Sequence, residues 1–484
     1  MIASSAMTYT EAEQIIRNRH FAAYNAGNVI SSSSPVANLN LAMLIGWLMV
    51  CPSLSESTFC SSRLPVFLSI AAASTWNLLY IRSIGIVGSI GVGLSSSFFT
   101  IVALNFTLLH DPRKFARVVM RSKAIVKQGE VIQSWDERKS LYMWESVPRF
   151  GWRRLMWVLD LLTAMRVAHW TWKQPAPLPA FCSLPPDHNA GHFLGNNVLR
   201  FAINCFLFDA IKCSMIADPF YIGFGTITES PPPFLEPYLS SFILVYVYRT
   251  MFALFGGFIA IDMNFTLAKM MQVNVLGSAV VGLNAYESTF QPLWGSPRAI
   301  LDKGLRGFWG DTWHQMLRMH LLSVGDAVAD RILGRVSDAT PAIDPRRSSS
   351  QYRTKIRVWT VFILSGALHM AASYTLPGPS KPWTSFLFFA IQPIAMSVQH
   401  EFSERFSLMV LANFSRVWHK PIVRTANLLS TILWMMICSP LMLNDLTTGG
   451  IWTLEPLPIS VIRGFGWSDQ DKGFWVWSPH LYGP

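Results

Sequence analysis

Val361–Tyr374 reads VFILSGALHMAASY, and its reading decides the class of fold. The stretch holds no Asp, Glu, Lys or Arg, yet it carries one imidazole, His369. It lies in a longer apolar run, Lys355–Leu376. A helix needs about 20 such residues to cross a hydrocarbon layer about 30 Å thick, and this run supplies them. Working outward, comparable runs occur at Val36–Cys51, Leu64–Ile81, Ile84–Leu109, Asn197–Ala217, Tyr238–Ile261, Trp383–Val398 and Thr425–Leu443. Leu155–Trp170 and Met263–Leu283 are apolar enough to enter a bilayer, but Asp160, Arg166 and Lys269 also suit interfacial or buried helices. The pattern predicts an all-α polytopic membrane protein, a bundle of about 8–10 transmembrane helices.

Composition agrees. Of 484 residues, 51% are hydrophobic and only 14% charged, against about a quarter charged in ordinary soluble domains. The net charge of +11 is carried in loops beside apolar spans. Positive-inside topology and lipid headgroups explain it there without a nucleic-acid partner. His110–Arg154 and Arg298–Arg357 are the basic loops and are expected to face the cytosol. Six scattered cysteines form no C-x-x-C pair, so neither a zinc knuckle nor a disulfide framework is expected. The chain divides into a polar N-terminal segment, 1–35, a transmembrane domain, 36–445, with its motif region at 290–376, and a C-terminal tail, 446–484. Pro175–Pro186 and Ser230–Pro237 read as turns.

Two histidines could carry chemistry. An ionisable group such as His369 is costly in an apolar span, where it usually faces a cavity or a functional path. One helical turn to either side lie Ser365 and Gly366, and Ala372 and Ser373, so the ring looks across small residues that leave room beside it. An imidazole there can act as a general base toward a hydroxyl, or it can hydrogen-bond a neighbouring helix. His314 lies in Phe308–Gln315, FWGDTWHQ. Thr312 and Gln315 have capping-box spacing, and Trp313, Leu317, Leu321, Val324, Val328 and Ile332 form a helical stripe. The spacing predicts a helix with His314 in its first turn, where the positive dipole end favours a neutral imidazole. Such a ring can orient a carbonyl or hydroxyl, or simply cap an interfacial helix. Arg249 and Asp209 are candidates for an intramembrane ion pair.

Pro292–Pro297 (PLWGSP), followed by FWGDTWHQ and then Ser365–His369 (SGALH), resembles the wax-synthase-like branch of the membrane-bound O-acyltransferases, especially fungal members that acetylate terpenoid alcohols. Within Trp157–Trp170, LDLLTAMRVAHW is a weaker echo of the same family. The resemblance implies that His369 matches the intramembrane catalytic histidine and His314 the polar partner after the aromatic run. Trp309, Trp313, Gln315, Ser365, Gly366 and Ser373 are then pocket candidates, and no metal is expected. Asp311 stands where many relatives have a basic or neutral residue, which argues against a phosphate contact at that position.

The implied activity is acyl transfer from acetyl-CoA, or another acyl-CoA, to an apolar alcohol, with no permanently bound cofactor. The expected setting is a multi-pass protein of the endoplasmic reticulum bilayer. A fatty-acyl transferase acting on long-chain alcohols or sterols is the alternative within the family. A membrane transporter is the alternative outside it, since it too would carry Arg249, Asp209 and His369, although no paired inverted halves are visible.

Overall fold

The computed structural model describes residues 8–476 except 84–87, 122–123, 128–129, 134–140, 165–169, 173–189, 224–226, 228–230, 232–234, 239–240, 286–291, 335–345, 454 and 467–472. Arg166, the Pro175–Pro186 turn and part of Ser230–Pro237 lie outside the described residues. The helices are α1 (Tyr9–Asn25), α2 (Leu39–Val50), α3 (Glu56–Tyr80), α4 (Ser89–Ala103), α5 (Trp152–Thr163), α6 (Ala190–Ile216), α7 (Phe242–Met271), α8 (Gly277–Val281), α9 (Arg298–Lys303) and α10 (Leu305–Gly307). They continue as α11 (Arg318–Leu333), α12 (Arg346–Tyr374), α13 (Pro382–Ala390), α14 (Gln392–Asn413), α15 (Arg416–Thr448) and α16 (Val461–Gly464). The protein is an all-α polytopic membrane protein: among the described residues five helical stretches, Val36–Ser53, Ser89–Leu109, Phe242–Leu276, Gln351–Tyr374 and Arg416–Thr448, are long and apolar enough to cross a bilayer.

The other three expected spans are helical too. Leu64–Ile81 falls in α3 and Asn197–Ala217 in α6, while Trp383–Val398 is split between α13 and α14. Pro393 explains the split, because its ring has no N–H to donate and crowds the carbonyl one turn back. Of the two ambiguous segments, α5 is only 12 residues long, about 18 Å, too short to span. Met263–Leu283 prolongs α7 and ends in a π-helical turn, Gln272–Leu276, and α8.

Short strands occur at β1 (Ile30–Ser31), β2 (Ile81–Arg82), β3 (Ala116–Arg121), β4 (Ala124–Lys127), β5 (Glu130–Gln133) and β6 (Leu141–Ser146). β3 and β6 pair antiparallel, Ala116 with Ser146 through Arg121 with Leu141, so the first basic loop is a ribbon. Its runs of Val, Met, Tyr and Trp suit a pleated surface better than a helix.

Contacts between helix ends sort the chain onto two ends of the bundle. At one end, β1 pairs with β2 just beyond α3, Thr375 bonds Ser89 at the start of α4, and Gly378 bonds Gly449 just after α15. Tyr9 donates to the Thr453 carbonyl, and Lys212, near the end of α6, bonds the Trp452 carbonyl at the same end. At the other end, Arg113 pairs with Glu56, Arg154 reaches the Met49 carbonyl, and Arg424 pairs with Asp302. The described residues of 8–31 and 449–476 therefore share one end, and the described residues of the two basic segments share the other.

The largest core unites α2, α3, α4, α5, α11 and α12 around Leu44, Phe59, Phe98, Trp157, Leu321, Val324 and Leu368. A second gathers α13, α14 and α15 with Leu305 and Trp309. Arg249 does not pair with Asp209. It is fully buried and makes a two-point ion pair with Asp218, 2.7 and 3.0 Å, in the turn after α6. Asp209 instead accepts the Ser460 hydroxyl and the Ile462 amide, and so docks the C-terminal segment.

Candidate active site

His369 sits on α12 beside α13. Its Nδ1 lies 2.8 Å from the Ser365 carbonyl oxygen. A carbonyl oxygen only accepts, so Nδ1 carries the proton and Nε2 keeps a lone pair. Among the described residues Nε2 has no hydrogen-bond partner. Phe389 of α13 stacks on the imidazole with centroids 4.1 Å apart and planes 28° apart. The two helices approach this closely because residue 366 is glycine: a Cβ there would lie 2.9 Å from the Phe386 carbonyl oxygen. Gly366 thus faces α13. Ser365 supplies the carbonyl, and the buried Ser373 hydroxyl, one turn beyond His369, has no partner among the described residues.

His314 does not open a helix. Phe308–Thr312 forms a π-helical turn that ends in the extended Trp313, and α11 starts only at Arg318, without a side-chain cap. Long-range bonds replace the expected capping box. The Thr312 hydroxyl donates to the Ser296 carbonyl at 2.9 Å, and the Gln315 side chain donates to Trp313 and accepts from Arg318 at 2.8 Å. The backbone pairs with the PLWGSP segment: Gly295 N–H donates to Thr312 O at 3.0 Å and Gln315 N–H to Leu293 O at 3.3 Å. These bonds flank His314 and hold it on an irregular segment. Of the expected stripe, Leu321 and Val324 are buried and Val328 packs against the core, whereas Ile332 is exposed.

The structure brings the two histidines together. Burial, and after it the field of His369, pushes the His314 pKa down to about 4. The ring is neutral as expected, but through desolvation rather than a helix dipole. Its Nδ1 is buried and unpartnered among the described residues. Aromatic rings wall the region. Trp313 lies 5.5 Å from His314 and 6.2 Å from Trp309, and Trp309 lies 5.8 Å from Phe389.

Two residues behind this wall escaped the sequence reading. Asp262 of α7 is buried and accepts from Arg200 at 2.6 and 2.9 Å, Asn204 at 2.7 Å and the Trp294 indole at 2.9 Å. Gln392 accepts from two indoles, Trp309 at 3.1 Å and Trp434 at 2.9 Å. Asp262 could have been found as a lone acid at the edge of an apolar run, and Gln392 as an amide beside a proline inside one. His320 was also missed. It is buried among Phe98, Phe106 and Trp172, away from the first pair, and burial lowers its pKa to about 3.

Fold and site define a polytopic helical membrane protein in which two histidines lie among aromatic rings. Residues 290–391, which contain both histidines and the three motifs around them, match the Membrane bound O-acyl transferase family, so the chain is MBOAT-like over its site region. It is similar to Acetyltransferase pyr8 of Aspergillus fumigatus, 28% identical over 205 residues, 42% of this chain and 44% of the relative. It is also similar to Acetyltransferase spyB of the same fungus, 28% identical over 140 residues (29% and 20%), and to Acetyltransferase eriL of Hericium erinaceus, 25% identical over 164 residues (33% and 37%). The matches thus span less than half the length of each of these relatives. No solved structure matches the chain significantly.

Proposed function

We propose that the protein is an acyl-CoA-dependent O-acyltransferase that moves acetyl from acetyl-CoA to the hydroxyl of an apolar alcohol, a terpenoid or meroterpenoid of secondary metabolism. The observation that carries this reading is His369, whose Nδ1 is committed to the Ser365 carbonyl while Nε2 remains open beside a neutral His314. In the reaction Nε2 takes the hydroxyl proton as the alcohol oxygen attacks the thioester carbon. The C–O bond forms, the carbonyl becomes a tetrahedral oxyanion, and His314 orients that oxygen. The C–S bond then breaks, and the departing thiolate takes the proton back from the imidazolium to leave as CoA thiol. Acetyl transfer, rather than transfer of a longer chain, is supported by the names of the three fungal relatives.

The end of the bundle that carries both basic segments faces the cytosol by the positive-inside rule, so acyl-CoA enters there and the apolar alcohol arrives from the bilayer. The membrane is that of the endoplasmic reticulum. Residues 36–445 form the transferase domain, with the first 35 residues and the stretch from 446 flanking it. The test is to incubate membranes containing the protein with labelled acetyl-CoA or oleoyl-CoA and mixed alcohols, and to read the products by mass. Acetate esters support the reading, oleate esters replace acetyl by fatty-acyl transfer, and no ester with either donor overturns it.

A further inference from the structure

We propose that Trp309, held by Gln392, is the residue that limits the length of the acyl chain the protein accepts; this rests on the acyl-transfer reading above. A carbonyl held between His314 and His369 projects its acyl chain against the surrounding rings. Trp309 is the central ring of that wall. It lies between Trp313 beside His314 and Phe389 on His369, and it also meets Phe362 at 5.6 Å and Phe388 at 6.2 Å. An acyl chain longer than acetyl has to displace it.

An unrestrained tryptophan could swing aside, but this one is tethered. Its indole N–H donates to Gln392 Oε1, which also takes the Trp434 indole. Gln392 Nε2 donates to the Phe388 carbonyl at 2.7 Å and reaches Cys438 Sγ at 3.5 Å. The side chain has 0% exposure, so both lone pairs and both protons of the amide are used inside an apolar shell. Rotating Trp309 would strip a part-buried indole donor of its acceptor and leave Gln392 Oε1 with the Trp434 indole alone, a loss that apolar surroundings penalise. The device is therefore rigid, and its rigidity comes from the kink at Pro393 that turns Gln392 inward between α13 and α14.

Trp309→Ala opens a cavity on the order of 150 Å³ or more, enough for a six-carbon ring. The experiment compares acetyl-CoA with hexanoyl-CoA as donors, at equal concentration and with one acceptor, in the parent, Trp309→Ala and Gln392→Met. The parent is expected to favour acetyl at least about tenfold. Trp309→Ala should shift the acetyl-to-hexanoyl ratio about tenfold or more toward hexanoyl, and Gln392→Met should shift it the same way by less. If Trp309→Ala fails to accumulate, Trp309→Leu carries the same comparison with less lost volume. An unchanged ratio in accumulated variants overturns the proposal, as does a parent that already uses hexanoyl-CoA as readily as acetyl-CoA. A parent that makes no ester from either donor instead removes the acyl-transfer reading on which the proposal stands.

Discussion

The Asp262 carboxylate accepts the Trp294 indole N–H at 2.9 Å, and Trp294 lies edge-on to His314 with centroids 6.3 Å apart. Since His314 lies on an extended segment, no helix fixes it. Its place depends on the backbone pairing with residues 293–295, and Asp262 anchors that segment to α6 and α7 through a bond to a charged acceptor. Such bonds contribute about 1.5–3 kcal/mol. Trp294→Phe, which removes the indole N–H and shrinks the bicyclic ring to a phenyl that can still stack on Phe258, should lower kcat about tenfold with little change in KM for acyl-CoA. Asp262→Asn should cost a similar factor alone and almost nothing further in the Trp294→Phe background. Additive losses in kcat would make Asp262 a general structural residue instead.

Gly295 is required by the same pairing. A Cβ at this position would stand 1.6 Å from the Asp311 carbonyl oxygen, and that obstacle is backbone, which no rotamer change relieves. Gly295→Ala should therefore push the two segments apart and reduce turnover by more than tenfold, with membrane abundance near that of the parent. Thr312→Ala removes only the bond to Ser296, costs about 1 kcal/mol, and should lower the melting temperature more than the rate. Activity and thermal melting of the two purified variants separate the effects, and a fully active Gly295→Ala would show that the pairing does not place His314.

His314 should also leave a signature in stability against pH. Its folded pKa of about 4 lies below the ordinary 6.5, so the unfolded chain binds more protons between these values. Stability therefore rises with pH across this window. The contribution is complete above about pH 6.5, is lost as pH falls toward 4, and is on the order of 1–3 kcal/mol. His314→Gln should flatten that part of the curve, measured as melting temperature from pH 4 to 7.5. A parent and variant that lose stability in parallel would mean that His314 is not desolvated.

The sequence made the bundle legible because charge-free runs are local signals, and a lone imidazole within one such run is what singles out His369 as a candidate. The surroundings of His314 were not legible. Thr312 and Gln315 have capping-box spacing, but Ser296, Gly295 and Leu293 compete for the same donors and acceptors, and tertiary partners override a cap worth about 1 kcal/mol. The partner of Arg249 was missed for a similar reason. Asp209 has the right charge in the facing helix, but Asp218, nine residues further along the chain, is placed by the turn after α6, whose position no periodicity encodes. Asp262 and Gln392 act through indoles distant in sequence, so their roles exist only once the helices are packed.

The hydrogen bond from His369 Nδ1 to Ser365 makes a sharper prediction about His369 than its burial alone does. Because Nδ1 is occupied within its own helix, a role in helix packing would have to run through the stacked Phe389 or through Nε2, and a role as base must run through Nε2. His369→Ala removes both, but His369→Gln retains a polar side chain that fills much of the same space and cannot take up a proton near neutral pH. If the residue is the base, both variants should insert normally, bind acyl-CoA as the parent does, and lose about two to four orders of magnitude in ester formation, since the alcohol would then keep its proton during attack. If it only packs helices, His369→Gln should stay near the parental rate. Ester formation by membranes matched for protein abundance, with acyl-CoA affinity measured alongside, distinguishes the two. More than a tenth of the parental rate in His369→Gln would assign the proton transfer to another group.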